Sequence, residues 1–446
     1  MRPYPGWLVS HGATAHFRDT DARYSWGMRA RQEYRRRPLR TILKYGVIAS
    51  AVGAVGSALA AAPAITVDHL ERRGRVKRDA PQPGTFEADV AESSIRIYTD
   101  GGALYDDMIA AIDAAEHSVI METYIWKNDA VGQRFIDAFN HAAERGVRVH
   151  LMYDGFANLV VPQSFYRQLS DRVFVHRLPV FRRKIWKAPL RYTGLNHSKV
   201  LIVDDRIGFV GGYNIGALYA REWRDTHIRE IGPAVWGLRN SVARVWNERC
   251  NTDEAIPWIA PDTWASPVHV AANLPVQLVY PIRQMYLDAI ERAQHRVWIT
   301  TPYFVPDQQI VRALSLAAER GVDVRLMVPK ESNHILADWV TRGFYGQLLS
   351  SKITLLLYAA SMIHAKTATI DGEWSTVGTA NIDRLSLTFN YETNVEIVDQ
   401  DFAREMERIY AADSEHCEVL EPPHWEGRST ATKVAEAALL PFRPLF

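Results

Sequence analysis

The strongest constraint on this chain is that it repeats itself. "LNHSKVLIVDDRIGFVGGYN" (Leu195–Asn214) and "IHAKTATIDGEWSTVGTAN" (Ile363–Asn381) carry the same polar residues at the same intervals. His197, Lys199, Asp204, Gly211, Asn214 and Asp225 become His364, Lys366, Asp371, Gly378, Asn381 and Glu392 on adding 167, without a gap. Upstream, "AAERGVRVHLM" (Ala142–Met152) and "AAERGVDVRLM" (Ala317–Met327) agree at nine of eleven positions. Self-similarity at a long fixed offset means two copies of one unit. Each copy reads as a helix ending near His117 or His295, a buried strand and a Tyr-containing loop. A helix over roughly 131–145 or 307–320 follows, stopped by Gly146 or Gly321, and then a second strand. This alternation predicts an α/β fold, with two tandem α/β sandwich repeats about a pseudo-two-fold axis.

The expected division is a basic segment 1–43, an apolar helix 44–67, a first repeat 84–268, a second repeat 269–422 and a tail 423–446. A Pro-, Trp- and Ala-rich stretch, about 251–275, reads as the linker between the repeats.

In extended chain, residues i and i+2 point the same way, so His197 and Lys199 share a face, as do His364 and Lys366. Asp204 and Asp371 fall at the strand ends on the opposite face, which suits local architecture. Gly211, Gly212 and Gly378 remove side chains where something must come close. Asn214 and Asn381 offer amide hydrogens toward the same space. A single His-Lys-Asn set is usually a solvated face. Two sets meeting at an axis supply two ammonium groups, two amides and two imidazoles. That is a pocket for an anion with several oxygens, such as a phosphodiester. One imidazole attacks phosphorus and the other protonates the leaving alkoxide. Asp225 and Glu392, each 28 residues after its own repeat's His, are the candidates for orienting the rings. The lysines already provide positive charge, so no metal or cofactor is expected. Cys250 and Cys417 have no neighbours at metal-ligand spacing.

The paired His-x-Lys-x4-Asp resembles the signature of the phospholipase D superfamily, over roughly residues 92–420. Within it, "HAKTATIDGEWSTVGTANID", "WRDTHIREIGPAV", "TPYFVP" and "NYETNVEI" are similar to segments of the bacterial cardiolipin synthases. The resemblance implies two phospholipase D-type sandwiches and a covalent phosphohistidine intermediate without metal. It further implies a phosphatidyltransferase that makes cardiolipin from phosphatidylglycerol and releases glycerol. Carried over by motif, the catalytic set is His197, Lys199, Asp204, His364, Lys366 and Asp371, with His197 as nucleophile and His364 as general acid. Lys199, Lys366, Asn214 and Asn381 are the phosphate-binding candidates. The family's Asn-x-Asp-x-Arg-Ser is departed from here, because "NIDRLS" sets Arg384 one position early.

Residues 29–44 hold seven Arg or Lys, and Tyr45–Val67 holds no charged residue. The apolar stretch is long enough to span a bilayer core of roughly 30 Å. It suits an anchor in a bacterial cell membrane, ahead of the alternatives of a cleaved signal or a buried small-residue helix. "FRRKIWKAPLR" (Phe181–Arg191) mixes five basic residues with Phe and Trp, which suits a lip facing anionic phospholipid at a membrane surface. The C-terminal "AALLPFRPLF" either packs on the body or touches lipid. Glu122, on a half-buried strand, either lines the pocket or pairs with an Arg. His117, His295 and His334 read as structural or exposed. Competing functions are a hydrolytic phospholipase D giving phosphatidic acid, a nuclease, and a non-catalytic lipid-binding scaffold. A net charge of +1 disfavours nucleic acid as partner. Two complete polar sets disfavour the scaffold.

Overall fold

The computed structural model describes residues 83–179, 194–248, 254–260 and 266–439. The apolar stretch 45–67, the basic segment 181–191 and Cys250 lie outside these residues.

The first sheet contains β1 (Thr85–Val90), β2 (Ser93–Tyr98), β3 (Ser118–Thr123), β4 (Arg148–Asp154), β5 (Phe174–Leu178), β6 (Val200–Val203), β7 (Ile207–Gly211) and β9 (His227–Ile231). Its order is β1-β2-β9-β7-β6-β3-β4-β5. The second contains β10 (Val268–Asn273), β11 (Arg296–Thr300), β13 (Asp323–Pro329), β14 (Thr354–Tyr358), β16 (Thr367–Ile370), β17 (Trp374–Gly378), β19 (Glu392–Val398) and β20 (Cys417–Val419). Its order is β10-β19-β17-β16-β11-β13-β14-β20. Matched strands occupy matched places, so the sequence repeat is a repeat of topology. Two short parallel pairs complete the set. β8 (Trp223–Arg224) pairs with β15 (Met362–Ile363), and β12 (Phe304–Val305) with β18 (Ile382–Asp383).

Matched helices begin and end alike. Asp129 caps Ala130–Glu144 by accepting from the amides of Val131 and Gly132, and Asp307 caps Gln308–Glu319 through Gln309 and Ile310. Gly146 and Gly321 both lie at φ +91°, where any side chain would be strained, and both end the helix just before a strand. β3, β4 and β5 run parallel, as do β11, β13 and β14, each with a helix crossing over between strands.

One apolar core is shared between the two sheets. Ile120, Ile202 and Val210 of the first pack in the same cluster as Val377, Val395 and Ile397 of the second. Helices Val235–Asn247 and Gln400–Ser414 belong to the same cluster through Leu238, Val242, Phe402 and Met406, so the two sheets meet across these helices, and the site forms at one end of their interface. The 251–275 linker expectation needs correction: Val268–Asn273 is β10, hydrogen-bonded along its length to β19. Its Ala-rich sequence hid a strand that is only half-buried. The described part of the tail, helix Thr430–Leu439, buries Ala435 and Leu439 against the body. Among the described residues no helix is long and apolar enough to cross a membrane.

Candidate active site

Each His-x-Lys segment lies in extended chain just before a hairpin, β6–β7 or β16–β17, and not inside a strand. What holds it is the other repeat. The His197 amide donates to Tyr391 O at 3.0 Å, and the Tyr391 amide donates to Leu195 O at 2.9 Å. In the mirror position the His364 amide donates to Arg224 O at 2.7 Å, beside the Ile363–Arg224 pairing of β15 with β8. Tyr391 and Arg224 immediately precede Glu392 and Asp225. The backbone thus delivers each carboxylate to the imidazole of the opposite repeat.

The ring partners are therefore crossed. His197 Nδ1 lies 3.0 Å from both carboxylate oxygens of Glu392, and His364 Nδ1 lies 2.6 Å from Asp225 Oδ2. This corrects the sequence expectation, which paired each His with the acid of its own repeat. Equal spacing along the chain says nothing about which copy a side chain faces. A carboxylate at Nδ1 fixes the proton there and leaves Nε2 of each ring for a ligand. Lys366 Nζ is also 2.9 Å from His364 Nδ1, but that nitrogen serves one partner. The shorter carboxylate contact takes its proton, and the ammonium donates to His364 O. Lys199 Nζ donates likewise to His197 O at 2.6 Å.

Glu392 and Asp225 are held differently. Thr379 Oγ1 donates to Glu392 Oε2 at 2.6 Å and accepts from the Thr393 amide at 2.9 Å. Thr379 corresponds to Gly212, and there a Cβ would sit 2.1 Å from Asp225 Oδ1. Asp225 instead accepts from the Thr226 amide at 2.8 Å. Behind it, Arg224 is fully buried and forms a two-point ion pair with Asp413 of the helix Gln400–Ser414, at 2.9 and 2.7 Å. Arg224 also donates to Asp225 O. This pair ties the two repeats together directly beneath the site.

Both imidazoles, both lysines and both carboxylates are buried. Burial, with help from the opposite lysine, lowers Lys199 to about 7, although Glu392 opposes the shift. Burial lowers Lys366 to about 8, against Asp225 and Glu392. Burial and the lysines hold His197 below the usual imidazole range and His364 well below it. Burial raises the Asp225 carboxyl, while Lys366 pulls the other way. The imidazoles are thus neutral near pH 7 and the lysines are poised close to it.

Asp204 lies at φ +52° in the β6–β7 turn, and its carboxylate accepts from the amides of Glu116, His117 and Ser118, each at 2.8 Å. Asp371, at φ +56°, does the same for Gln294, His295 and Arg296. Both stand at the far end of their strands from the imidazoles, so the structure does not bring them into the site. Asn214 is buried there, but its Oδ1 accepts from the Ile125 amide at 3.2 Å. Asn381 is buried and donates to Asp383, whose carboxyl burial raises to about 6. Glu122 is buried and accepts from Asn196 Nδ2, one residue before His197. Arg384 is exposed on the short helix Arg384–Thr388.

The ring walls were not read from the sequence. Tyr124 stands edge-on to His197 with centroids 4.6 Å apart, and Lys199 Nζ lies 5.2 Å from the Tyr124 centroid. Trp223 lies 4.9 Å from His364, and Tyr303 6.5 Å. His334 is exposed, as expected, yet lies 5.6 Å from Tyr303 at the pocket's margin. The available signal was position: Tyr124 is the first residue after β3, Tyr303 the third after β11, and Trp223 stands two residues before Asp225.

A family model described as "Cardiolipin synthase, PLD-like domain" matches residues 108–228 and again 286–414. A cardiolipin synthase of Clostridium perfringens is 31% identical over 369 residues, 79% of this chain and 77% of its own length. Cardiolipin synthase A of Pseudomonas putida is 31% identical over 343 residues, 75% of this chain and 71% of its own. Among solved structures, phosphatidylserine synthase of Haemophilus influenzae has a TM-score of 0.61 at 15% identity, covering 81% of this chain and 96% of that one. Polyphosphate kinase of Porphyromonas gingivalis has a TM-score of 0.52 at 14% identity, covering 79% and 53%. These two likenesses are of fold.

Proposed function

The chain belongs to the phospholipase D-like family of the cardiolipin synthases, and from that premise we propose that it is a phosphatidyltransferase making cardiolipin from phosphatidylglycerol. The observation that carries the chemistry is the crossed pair of His–carboxylate contacts beside two buried lysines. His197 Nε2 attacks the phosphorus of one phosphatidylglycerol. The N–P bond forms, the bond from phosphorus to the headgroup glycerol oxygen breaks, and His364 Nε2–H protonates the departing alkoxide. His364, now with a lone pair on Nε2, takes the proton from the headgroup hydroxyl of a second phosphatidylglycerol. That oxygen attacks the phosphohistidine, the N–P bond breaks, and cardiolipin leaves with His197 neutral again.

His364 must carry a second proton before the first step. The phosphodiester's negative charge, seated between Lys199 and Lys366, offsets the lysines and raises both imidazoles toward that state. Lys199 and Lys366 hold the non-bridging oxygens, with the Asn214 amide and Asn381 at the margin. Glu392 and Asp225 orient the rings. Asp204 and Asp371 act at a distance, by holding the hairpins that follow the two His-x-Lys segments.

The reaction belongs at a bacterial membrane, with residues 45–67 as the anchor. Full-length protein incubated with phosphatidylglycerol vesicles is expected to give cardiolipin and equimolar glycerol by mass analysis. Phosphatidic acid as main product would replace transfer by hydrolysis. Cleavage of a short oligonucleotide with no lipid turnover would replace the substrate class.

A further inference from the structure

β3 and β4 are parallel, β6 runs against β3, and β7 runs against β6. The ends of β3, β4 and β7 and the start of β6 therefore share one edge of the first sheet, the edge where His197 enters. The same holds for β11, β13, β17 and β16 around His364. At this edge the loop 155–161 follows β4 and contains no charged residue. It exposes Phe156 by 50%, Leu159 by 56% and Val160 by 84%. The exposure is built in. Asn158, fully buried beneath the loop, donates to Tyr124 O and Asp154 O and accepts from the Trp126 amide. The same Tyr124 stands against His197.

Leu218, on the helix Ala217–Arg221 after β7, and Leu385, on Arg384–Thr388 after β17, are related by the 167-residue offset and are both exposed. Each helix carries one exposed cation, Arg221 or Arg384. The opposite edge carries the carboxylates of Asp204 and Asp371 in its turns, with Glu116, Arg206 and Glu373 exposed, and its exposed apolar side chains, Ile231 and Val398, stand singly at strand ends with no apolar loop beside them. Large apolar side chains held in water around a reactive pocket mark an interaction surface.

We propose that this edge docks on an anionic bilayer, with Phe156, Leu159 and Val160 entering the acyl boundary and Leu218 and Leu385 touching it. Arg221 and Arg384 meet lipid phosphates. The inference rests on the phosphatidyltransferase reading. It adds that the folded repeats grip the membrane themselves, so a lipid reaches His197 without leaving the bilayer.

The test uses full-length protein bearing Val160→Trp or, as control at the opposite edge, Val398→Trp, on phosphatidylglycerol vesicles with brominated acyl chains. Emission added by Val160→Trp is expected to be quenched and that added by Val398→Trp is not. Unquenched Val160→Trp emission on vesicle-bound protein overturns the proposal. In a second arm, Leu159→Asp with Val160→Asp is assayed on vesicles and on dispersed dihexanoyl phosphatidylglycerol. Vesicle turnover is expected to fall about tenfold or more, with dispersed turnover unchanged, since keeping one large apolar side chain out of lipid weakens docking of the already anchored repeats by about a decade. Equal loss on both substrates, unchanged vesicle turnover, or a solution dimer broken by the aspartates would each overturn it. Quenching without turnover of either substrate would leave docking standing and sink the phosphatidyltransferase instead.

Discussion

Crossed ring pairing makes a prediction opposite to that of pairing within each repeat. If His197 is the nucleophile and His364 the acid, Glu392→Gln weakens attack and Asp225→Asn weakens leaving-group protonation. Glu392 faces His197 Nδ1 with both oxygens at 3.0 Å and is itself fixed by Thr379 at 2.6 Å. Replacing a charged acceptor by a neutral one costs on the order of 1–2 kcal/mol, the difference between charge-assisted and neutral hydrogen bonds. At about 1.4 kcal/mol per decade that is about tenfold. An amide that turns its NH2 toward Nδ1 also moves the ring proton to Nε2, which takes the loss to about 10²-fold, the upper range for groups that orient a ring. Asp225→Asn should cost about 10²–10⁴-fold with phosphatidylglycerol, the worth of a general acid. The decisive assay replaces glycerol by p-nitrophenol, whose anion leaves without a proton. Burst release of p-nitrophenolate should recover to near wild type in Asp225→Asn and stay depressed in Glu392→Gln. Rescue of Glu392→Gln and not of Asp225→Asn would refute the assignment of roles, and equal rescue of both would refute the division of labour.

Asp204→Ala should act on stability and leave the chemistry intact: three amides lose an acceptor at 2.8 Å and a φ of +52° is left to alanine. The combined cost is about 2–4 kcal/mol, discounted because the carboxylate is partly exposed, so apparent Tm should fall by several degrees while kcat at a permissive temperature stays within about threefold. A 10³-fold loss of kcat at unchanged Tm would make Asp204 a catalytic residue after all. If Lys199 and Lys366 cradle the phosphate, they set the alkaline limit of binding. Their ammonium forms are lost as pH rises through about 7 for Lys199 and about 8 for Lys366, so kcat/KM should decline across this window. The limb in kcat should lie at higher pH, because bound phosphate holds the protons on. A kcat/KM profile flat from about pH 6 to 9 would contradict a phosphate cradle built on these two groups.

The doubled topology was legible because the offset was gapless and because helix stops such as Gly146 and Gly321 are local chemistry. That the His, Lys and acid side chains of both copies gather in one place was legible for the same reason. The crossing was not, since it depends on how one repeat docks on the other and no interval along a chain encodes that. β10 was missed because Ala and Asn are poor strand formers and its pairing with β19 is long-range. Arg224 stood next to a residue already singled out, yet its partner Asp413 lies on a helix with no motif of its own. Asp204 and Asp371 show the converse: the motif drew them toward the reaction, although alternation had already put them on the wrong face.

Because each imidazole takes its carboxylate and its backbone support from the other repeat, neither repeat contains half of the candidate site. Competence is a property of the seam. A small slip between the repeats would break the Nδ1 contacts of both rings and the Arg224–Asp413 tie together, so activity should vanish in one cooperative step before either repeat unfolds. A chain cut within 251–265 and reassembled from its two pieces would recover both catalytic steps or neither.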